Sequence, residues 1–191
     1  ERERFSSLLG RYRYRREHNA VIDLIDRVPS GVTFADCPCG IGRWWPVLAR
    51  RASKIVAMDI SAGMLQYAGE QAAEFDLDVE VREGDAESLP LEDGSVDYTF
   101  SFALTKHLPL PVQFRVLSEF SRVARQGVIS TFSVMSHMTY EIWRHRNIFE
   151  SFTILPEQLE WMAADAGLRI EKMNKCTTPI GVERVVLFKK L

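Results

Sequence analysis

The stretch from Val32 to Arg43, VTFADCPCGIGR, constrains the fold of this chain more than any other. Val32, Thr33, Phe34 and Ala35 form the short apolar run that a buried parallel strand needs, and the run ends in Asp36. A turn with Pro38, Gly40 and Gly42 follows, and then a helix-compatible segment from Trp44 to Arg51. Strand, glycine turn and helix let a backbone approach a ligand at the carboxyl end of a strand, because glycine has no Cβ to hold the ligand away. The start of the expected helix would add unpaired N–H groups that favour an anionic group. Taken alone, two glycines in a turn fit an ordinary tight loop as well.

A second apolar run, Lys54 to Ile60 (KIVAMDI), contains Asp59, which follows the turn at roughly the 20-residue spacing of a carboxylate that binds ribose hydroxyls. A nicotinamide dinucleotide suits the pattern less well. Counted from Gly40, the third glycine of G-x-G-x-x-G falls on Trp45, whose indole is expected to obstruct close packing of helix on strand.

Asp36-Cys37-Pro38-Cys39-Gly40-Ile41-Gly42 resembles the acidic-x-Gly-x-Gly-x-Gly loop of class I S-adenosylmethionine-dependent methyltransferases of the broad small-molecule type, with Pro38 in place of the first glycine. Asp59-Ile60-Ser61-Ala62-Gly63-Met64-Leu65 resembles the D-x-S-x-x-M-L of that family. The run from Gly84-Asp85-Ala86-Glu87-Ser88-Leu89-Pro90 on to Asp97 resembles its G-D-A-E-x-L-P-F-x-D-x-S-F-D. Three matches in order are more specific than any one, and the resemblance spans residues 18 to 190.

The resemblance implies an α/β fold with a doubly wound, mostly parallel seven-stranded sheet in three α/β/α layers, and one domain over residues 1–191. Residues 1–28 would be an N-terminal helical segment able to act as a flap. It implies S-adenosylmethionine as cofactor and S-adenosylhomocysteine as product. Asp36, Cys37, Pro38, Cys39, Gly40 and Gly42 would hold the amino acid end of the cofactor, and Asp59 would accept both ribose hydroxyls. Asp85 would accept from the adenine amine beside Gly84 while the Ala86 N–H meets the ring. Ile60, Met64, Ser101 and Phe102 are candidates for the pocket walls. Each assignment has a plainer counterpart: a turn carboxylate for Asp36 or Asp85, a helix cap for Asp59, core packing for the apolar residues. Pro38 fixes φ near -65° and removes an N–H, so it is harmless only if that position is neither left-handed nor a donor.

The remaining periodicities agree with this fold. Val21, Leu24, Ile25 and Val28 recur at helical spacing, and Ser61 is placed to cap a helix reaching Phe75. Strands are expected at 78–82, 96–102 and 127–132, with a helix at 111–124 between the last two. A helix at 156–166 ended by Gly167 and a closing pair of strands at 168–175 and 182–189 complete the pattern. Residues 133–151 are too irregular to assign.

Positioning supplies much of the rate of transfer from a methyl sulfonium, so the chemistry demands no dedicated acid or base. His107 lies on the expected active rim, where it would either accept a proton near neutrality or merely shape the pocket. Tyr12, His107, Tyr140 and Trp143 are the candidate substrate contacts; surface packing is the alternative for the last two. The arginine-rich start of the chain, with Tyr12 and Tyr14 between arginines, reads either as a solvated helix or as a flap.

The chain of 191 residues, 46% of them hydrophobic, suits one domain with a sizeable core. Its formal net charge of -2 gives no reason to expect a general nucleic-acid surface, and no apolar run is long enough to span a bilayer. A cytoplasmic protein is the expectation, with its start trimmed because no initiator methionine is present. Three cysteines, two of them one residue apart on a turn, suit neither a disulfide framework nor zinc, so no metal site is expected. A compact small-molecule acceptor is the first reading of function. The alternatives are an RNA or protein methyltransferase, a non-catalytic cofactor-binding regulatory partner and a nicotinamide-dependent oxidoreductase.

Overall fold

A computed structural model describes residues 8–146, 152–176 and 182–191. The order along the chain is α1 (Leu8–Ile25), β1 (Val32–Asp36), α2 (Trp45–Leu48), β2 (Ala52–Asp59), α3 (Ala62–Glu74), β3 (Asp78–Glu83), β4 (Val96–Ser101), α4 (Leu110–Val123), β5 (Ala124–Ser133), α5 (His137–Arg146), α6 (Pro156–Asp165), β6 (Leu168–Lys175) and β7 (Glu183–Lys190). A short 3-10 turn, Thr105–His107, joins β4 to α4.

The seven strands form one sheet in the order β3-β2-β1-β4-β5-β7-β6. The first five strands are parallel, and β7 runs antiparallel to both β5 and β6. This is the doubly wound, mostly parallel sheet that the sequence implies. The side-chain period of two sends alternate residues to opposite faces. Phe34, Ile55, Tyr98, Phe100, Ile129 and Leu187 pack with Leu24 and Ile25 of α1 and with Trp45 and Leu48. Val56, Val128, Phe132 and Phe188 point the other way, against Val116, Leu117 and Phe120 of α4 and Leu159 and Met162 of α6. The two apolar layers hold the sheet rigid between them.

Gly127 belongs to this packing. A Cβ there would lie 2.2 Å from the Phe188 carbonyl oxygen, so only glycine lets β5 approach β7 at that point.

Three segments bear on the local reading of the sequence. The segment from Trp44 to Arg51 forms one helical turn, Trp45–Leu48, because Pro46 suits a first turn but the chain must re-enter the sheet at Ala52. At this start the Trp45 N–H donates to the Gly42 carbonyl at 3.1 Å and Pro46 has no N–H, so neither residue supplies the unpaired donor that the sequence leads one to expect. The N-terminal segment, expected to be helical over residues 1–28, is one continuous helix from Leu8 to Ile25 among the described residues. Its first seven residues, and residues 147–151, lie outside the described residues. The irregular stretch after β5 contains α5, started by Ser136, whose Oγ accepts from the Thr139 N–H at 3.3 Å.

Candidate functional site

Strand order reverses between β1 and β4, which is where open α/β sheets place their ligands. Register aligns the carboxyl ends there: Asp36 of β1 sits opposite Ala57 of β2 and Phe100 of β4, and Asp59 sits opposite Glu83 of β3. The glycine turn is tied across this crevice. The Cys37 N–H donates to the Phe100 carbonyl at 3.0 Å and the Cys39 N–H to the Met58 carbonyl at 2.8 Å, so the turn straddles the tips of β4 and β2. Gly40 and Gly42 have φ of +54° and +78°, which glycine adopts at little cost. Pro38 is not among the residues with positive φ, so it meets the condition set for it.

Asp59 holds this turn. Its Oδ2 accepts from the Gly40 N–H at 3.0 Å and its Oδ1 from the Ser61 N–H at 2.9 Å, leaving each oxygen a further lone pair. The Gly40 amide therefore serves the carboxylate and not a ligand, and the Gly42 N–H donates to the Cys39 carbonyl at 3.0 Å. The Ile41 N–H, at the exposed crown of the turn, has no internal acceptor among the described residues. Ile60 is 67% exposed and Met64 44%, so neither belongs to the core. Both follow Asp59 directly: Ile60 is next to it, and Met64 lies in the first turn of α3, whose cap Ser61 accepts from the Met64 N–H at 3.4 Å.

Asp36 is sealed beneath the turn, 1% exposed, and its Oδ2 accepts from the Trp45 indole Nε1–H at 3.0 Å. Burial pushes its carboxyl up to about 8; the indole donor pulls it back, and the Asp59 carboxylate adds to the rise. Trp45 therefore does not obstruct the turn. Its ring lies flat below Gly42, where a Cβ would come within 2.6 Å of the indole. Cys37 and Cys39 are buried and free, and burial raises both thiols, so they act as small apolar side chains.

At the β3 exit Gly84 is buried against Met58, and its N–H donates to the Asp59 carbonyl at 3.1 Å. Asp85 is exposed and uses Oδ1 for the Glu87 N–H at 2.9 Å, which leaves the second oxygen outward; Ala86 is half-buried beside it. At the β4 tip the Ser101 Oγ is buried with no hydrogen-bond partner among the described residues. Two residues on, Ala103 adopts φ of +64°, with its N–H donating to Thr131 Oγ1 at 2.7 Å. A left-handed alanine is backbone strain held by its surroundings, and nothing in the residue pattern marks it beforehand.

The α1 helix does reach the site, although through other residues than Tyr12. Helical spacing turns Tyr14, Glu17 and His18 toward the glycine turn. The His18 ring stacks on Trp44 at 4.7 Å and Tyr14 packs on His18 at 4.0 Å. Arg43 lies 4.9 Å from the Trp44 ring centroid and 5.3 Å from that of Tyr14, and pairs with Glu17 at 2.8 Å. Phe102 joins this cluster, 4.5 Å from Trp44. Burial and then the Arg43 charge lower the His18 pKa, so the ring is neutral at pH 7. Tyr12 is instead on another face of the helix, lining a cavity of about 510 Å³ with Arg11, Arg15, Arg16 and Asn19 and no residue of the turn.

His107 ends the 3-10 turn after β4 with its side chain exposed. Its neighbour Lys106 pairs with Glu183 at 2.9 Å and so ties this rim to the start of β7. Tyr140 is half-buried on α5, and the Trp143 side chain lies outside the described residues. Among the described residues no cluster of His, Cys, Asp and Glu could hold a metal ion, and no helix is long and apolar enough to cross a membrane.

Residues 34–127 match a family described as methyltransferase domain. Among curated relatives, the chain is 37% identical over 115 residues to a malonyl-[acyl-carrier protein] O-methyltransferase of Yersinia pestis, covering 56% of this chain and 38% of that protein. It is 32% identical over 129 residues to a demethylmenaquinone methyltransferase of Bacillus licheniformis, covering 65% of this chain and 53% of that one. The chain thus spans about half the length, or less, of these relatives. A solved magnesium protoporphyrin IX methyltransferase from Synechocystis PCC 6803 with bound SAH has the same fold, with a TM-score of 0.77 at 15% identity over 97% of this chain and 88% of the other.

Proposed function

We propose, from the premise that this chain carries a methyltransferase domain of the seven-stranded class I fold, that it transfers a methyl group from S-adenosylmethionine to a small-molecule acceptor. The observation that carries the reading is the convergence of Asp36, Asp59 and Asp85 with the Gly40–Gly42 turn on one edge of the sheet.

The residues fit that cofactor. A buried carboxyl with one neutral donor suits an ammonium group, and the spare lone pairs of Asp59 suit a pair of ribose hydroxyls. Ile60 and Met64, apolar and outward, suit the faces of an adenine ring, and the outer oxygen of Asp85 suits its amine. The unpartnered Ser101 Oγ marks a further polar contact at the β4 tip. The bound cofactor would supply an electrophilic methyl sulfonium. This chain then has to hold the acceptor in line and exclude water, and the α1 cluster of Tyr14, His18, Arg43 and Trp44 is placed to cover the turn. Where the acceptor is a hydroxyl or amine, His107 is the side chain on this rim that would take up its proton.

The relatives reported above are named for acceptors as different as malonyl-[acyl-carrier protein] and demethylmenaquinone, so the proposal extends to oxygen, nitrogen or carbon as the attacked atom. The proposal takes residues 1–191 as one catalytic domain acting in the cytoplasm.

Calorimetry with S-adenosylmethionine, followed by a mass-shift screen of metabolites for a gain of one methyl group, tests the reading. Binding and a methylated small molecule are expected. Binding with no transfer to any acceptor would favour a regulatory partner, methylation of RNA or protein would move the acceptor class, and affinity for a dinucleotide alone would favour an oxidoreductase. His107→Ala should lower turnover with cofactor affinity unchanged; equal turnover would remove it from the mechanism.

A further inference from the structure

The Trp45–Asp36 pair goes beyond this assignment. Both side chains are 1% exposed, and they are joined by one hydrogen bond of 3.0 Å between an indole N–H and a carboxylate oxygen. Among the described residues no cation is within bonding distance of Asp36, and its charged neighbour is another acid, Asp59 of β2. The thiols of Cys37 and Cys39 in the turn above are uncharged. A carboxyl in these surroundings keeps its proton until a cation arrives, since ionising it alone would bury an unpaired charge. The indole N–H, fixed under Gly42 by packing, is the group that makes the ionised form attainable.

We propose that Trp45 is a positioning residue that holds the Asp36 carboxyl for the cofactor ammonium, so that cofactor binding releases a proton from Asp36 to solvent. The inference rests on the function proposed above. On binding, Asp36 passes from acid to carboxylate, one proton leaves, and the incoming ammonium supplies the countercharge. Below the midpoint of free Asp36, cofactor affinity then rises about tenfold per pH unit, and above it the affinity levels off.

The test uses the full chain with ¹⁵N-labelled tryptophan, and S-adenosylhomocysteine as a stable probe with the same ammonium and carboxylate. The Trp45 indole signal, assigned by its loss in Trp45→Phe, should titrate in the free protein with a midpoint near 8 and should stop titrating in Asp36→Asn. Calorimetry at pH 7 in buffers of different ionisation enthalpy should show release of about one proton on binding. Trp45→Phe should bind the probe about tenfold more weakly at pH 7, with the deficit shrinking by pH 8.5, because the lost donor raises the Asp36 midpoint. An indole signal that does not titrate, a titration that survives Asp36→Asn, or an equal Trp45→Phe deficit at both pH values would overturn the inference. If Trp45→Phe does not fold, the proton count for the unaltered chain decides: no proton released on probe binding at pH 7 would overturn the inference. A titrating indole with no probe binding at any pH would overturn the methyl-transfer reading instead.

Discussion

Two aspartates on opposite edges of the same sheet have opposite lives. Asp97, near the amino end of β4, accepts from the Thr33 N–H at 2.9 Å, from Gln126 at 3.0 Å and from the Arg125 guanidinium at 3.1 Å. Burial works to raise its carboxyl, yet the Thr33, Gln126 and Arg125 hydrogen bonds outweigh this and hold it below the usual carboxylate range. Asp36, at the carboxyl end of β1, has one neutral donor, and its carboxyl is pushed up to about 8. Asp97 is matched by a cation of the chain itself, whereas Asp36 has a neutral donor and an acidic neighbour. Arg122, bonded to Glu119 at 2.6 Å and to Asp93 at 2.6 Å on the Asp97 edge, is a further example of the first kind.

The contrast breaks most sharply under a pH scan. For Asp36 the folded carboxyl holds its proton after the unfolded chain has lost it, so stability should fall as pH rises from about 4 to about 8 and then level off. Asp36→Asn should remove that slope and stabilise the protein at pH 8 by on the order of 2–4 kcal/mol, read by urea denaturation at several pH values. An unchanged slope would mean that Asp36 is ionised in the free protein. Asp97 should behave the other way, its contribution present above about pH 4 and lost as pH falls through its depressed folded value. Asp97→Ala should cost about 1.5–3 kcal/mol at pH 7 while the folded variant keeps its affinity for S-adenosylhomocysteine; a large loss of affinity would dissolve the distinction between the edges.

Asp59→Ala should weaken cofactor binding by roughly tenfold or more, since hydrogen bonds to a charged group contribute about 1.5–3 kcal/mol. Unchanged affinity in a folded variant would take the ribose role from Asp59. The smallest effect is expected at the cover of the site: Glu17→Gln breaks the pair with Arg43 and should cost about 0.5–1 kcal/mol or less. Faster hydrogen exchange confined to the first half of α1 would show it; unaltered exchange there would mean that the aromatic stack alone holds the helix down.

Much of the fold was legible because burial forces a period on the sequence. The runs around Phe34, Ile55 and Phe100 are apolar since both faces of those strands are covered, and Gly167, with φ of +68°, ends α6 where the sequence placed a stop. The ordered spacing of Asp36, Asp59 and Asp85 was visible too, and the sheet brings those positions to one edge. The shortness of α2 is not legible because helix compatibility is local, whereas the return of the chain to β2 is not. The arginine and tyrosine pattern of α1 shows an amphipathic charge distribution without showing that His18, and not Tyr12, packs on Trp44. The strained Ala103 left no trace, since alanine is unremarkable in any segment.

By itself, then, the order of residues determined the number of strands, the parallel sense of the first five and which acids stand at their ends, because hydrophobic period and turn chemistry act over a few neighbouring residues. Tertiary structure alone decided which of those acids are given partners. Trp45 became a hydrogen-bond donor to Asp36 only when the turn folded it under Gly42, and Arg125 was delivered to Asp97 only by the pairing of β4 with β5. Protonation follows from burial and from the sign of the nearest charge, and both are set by contacts between segments far apart in the chain.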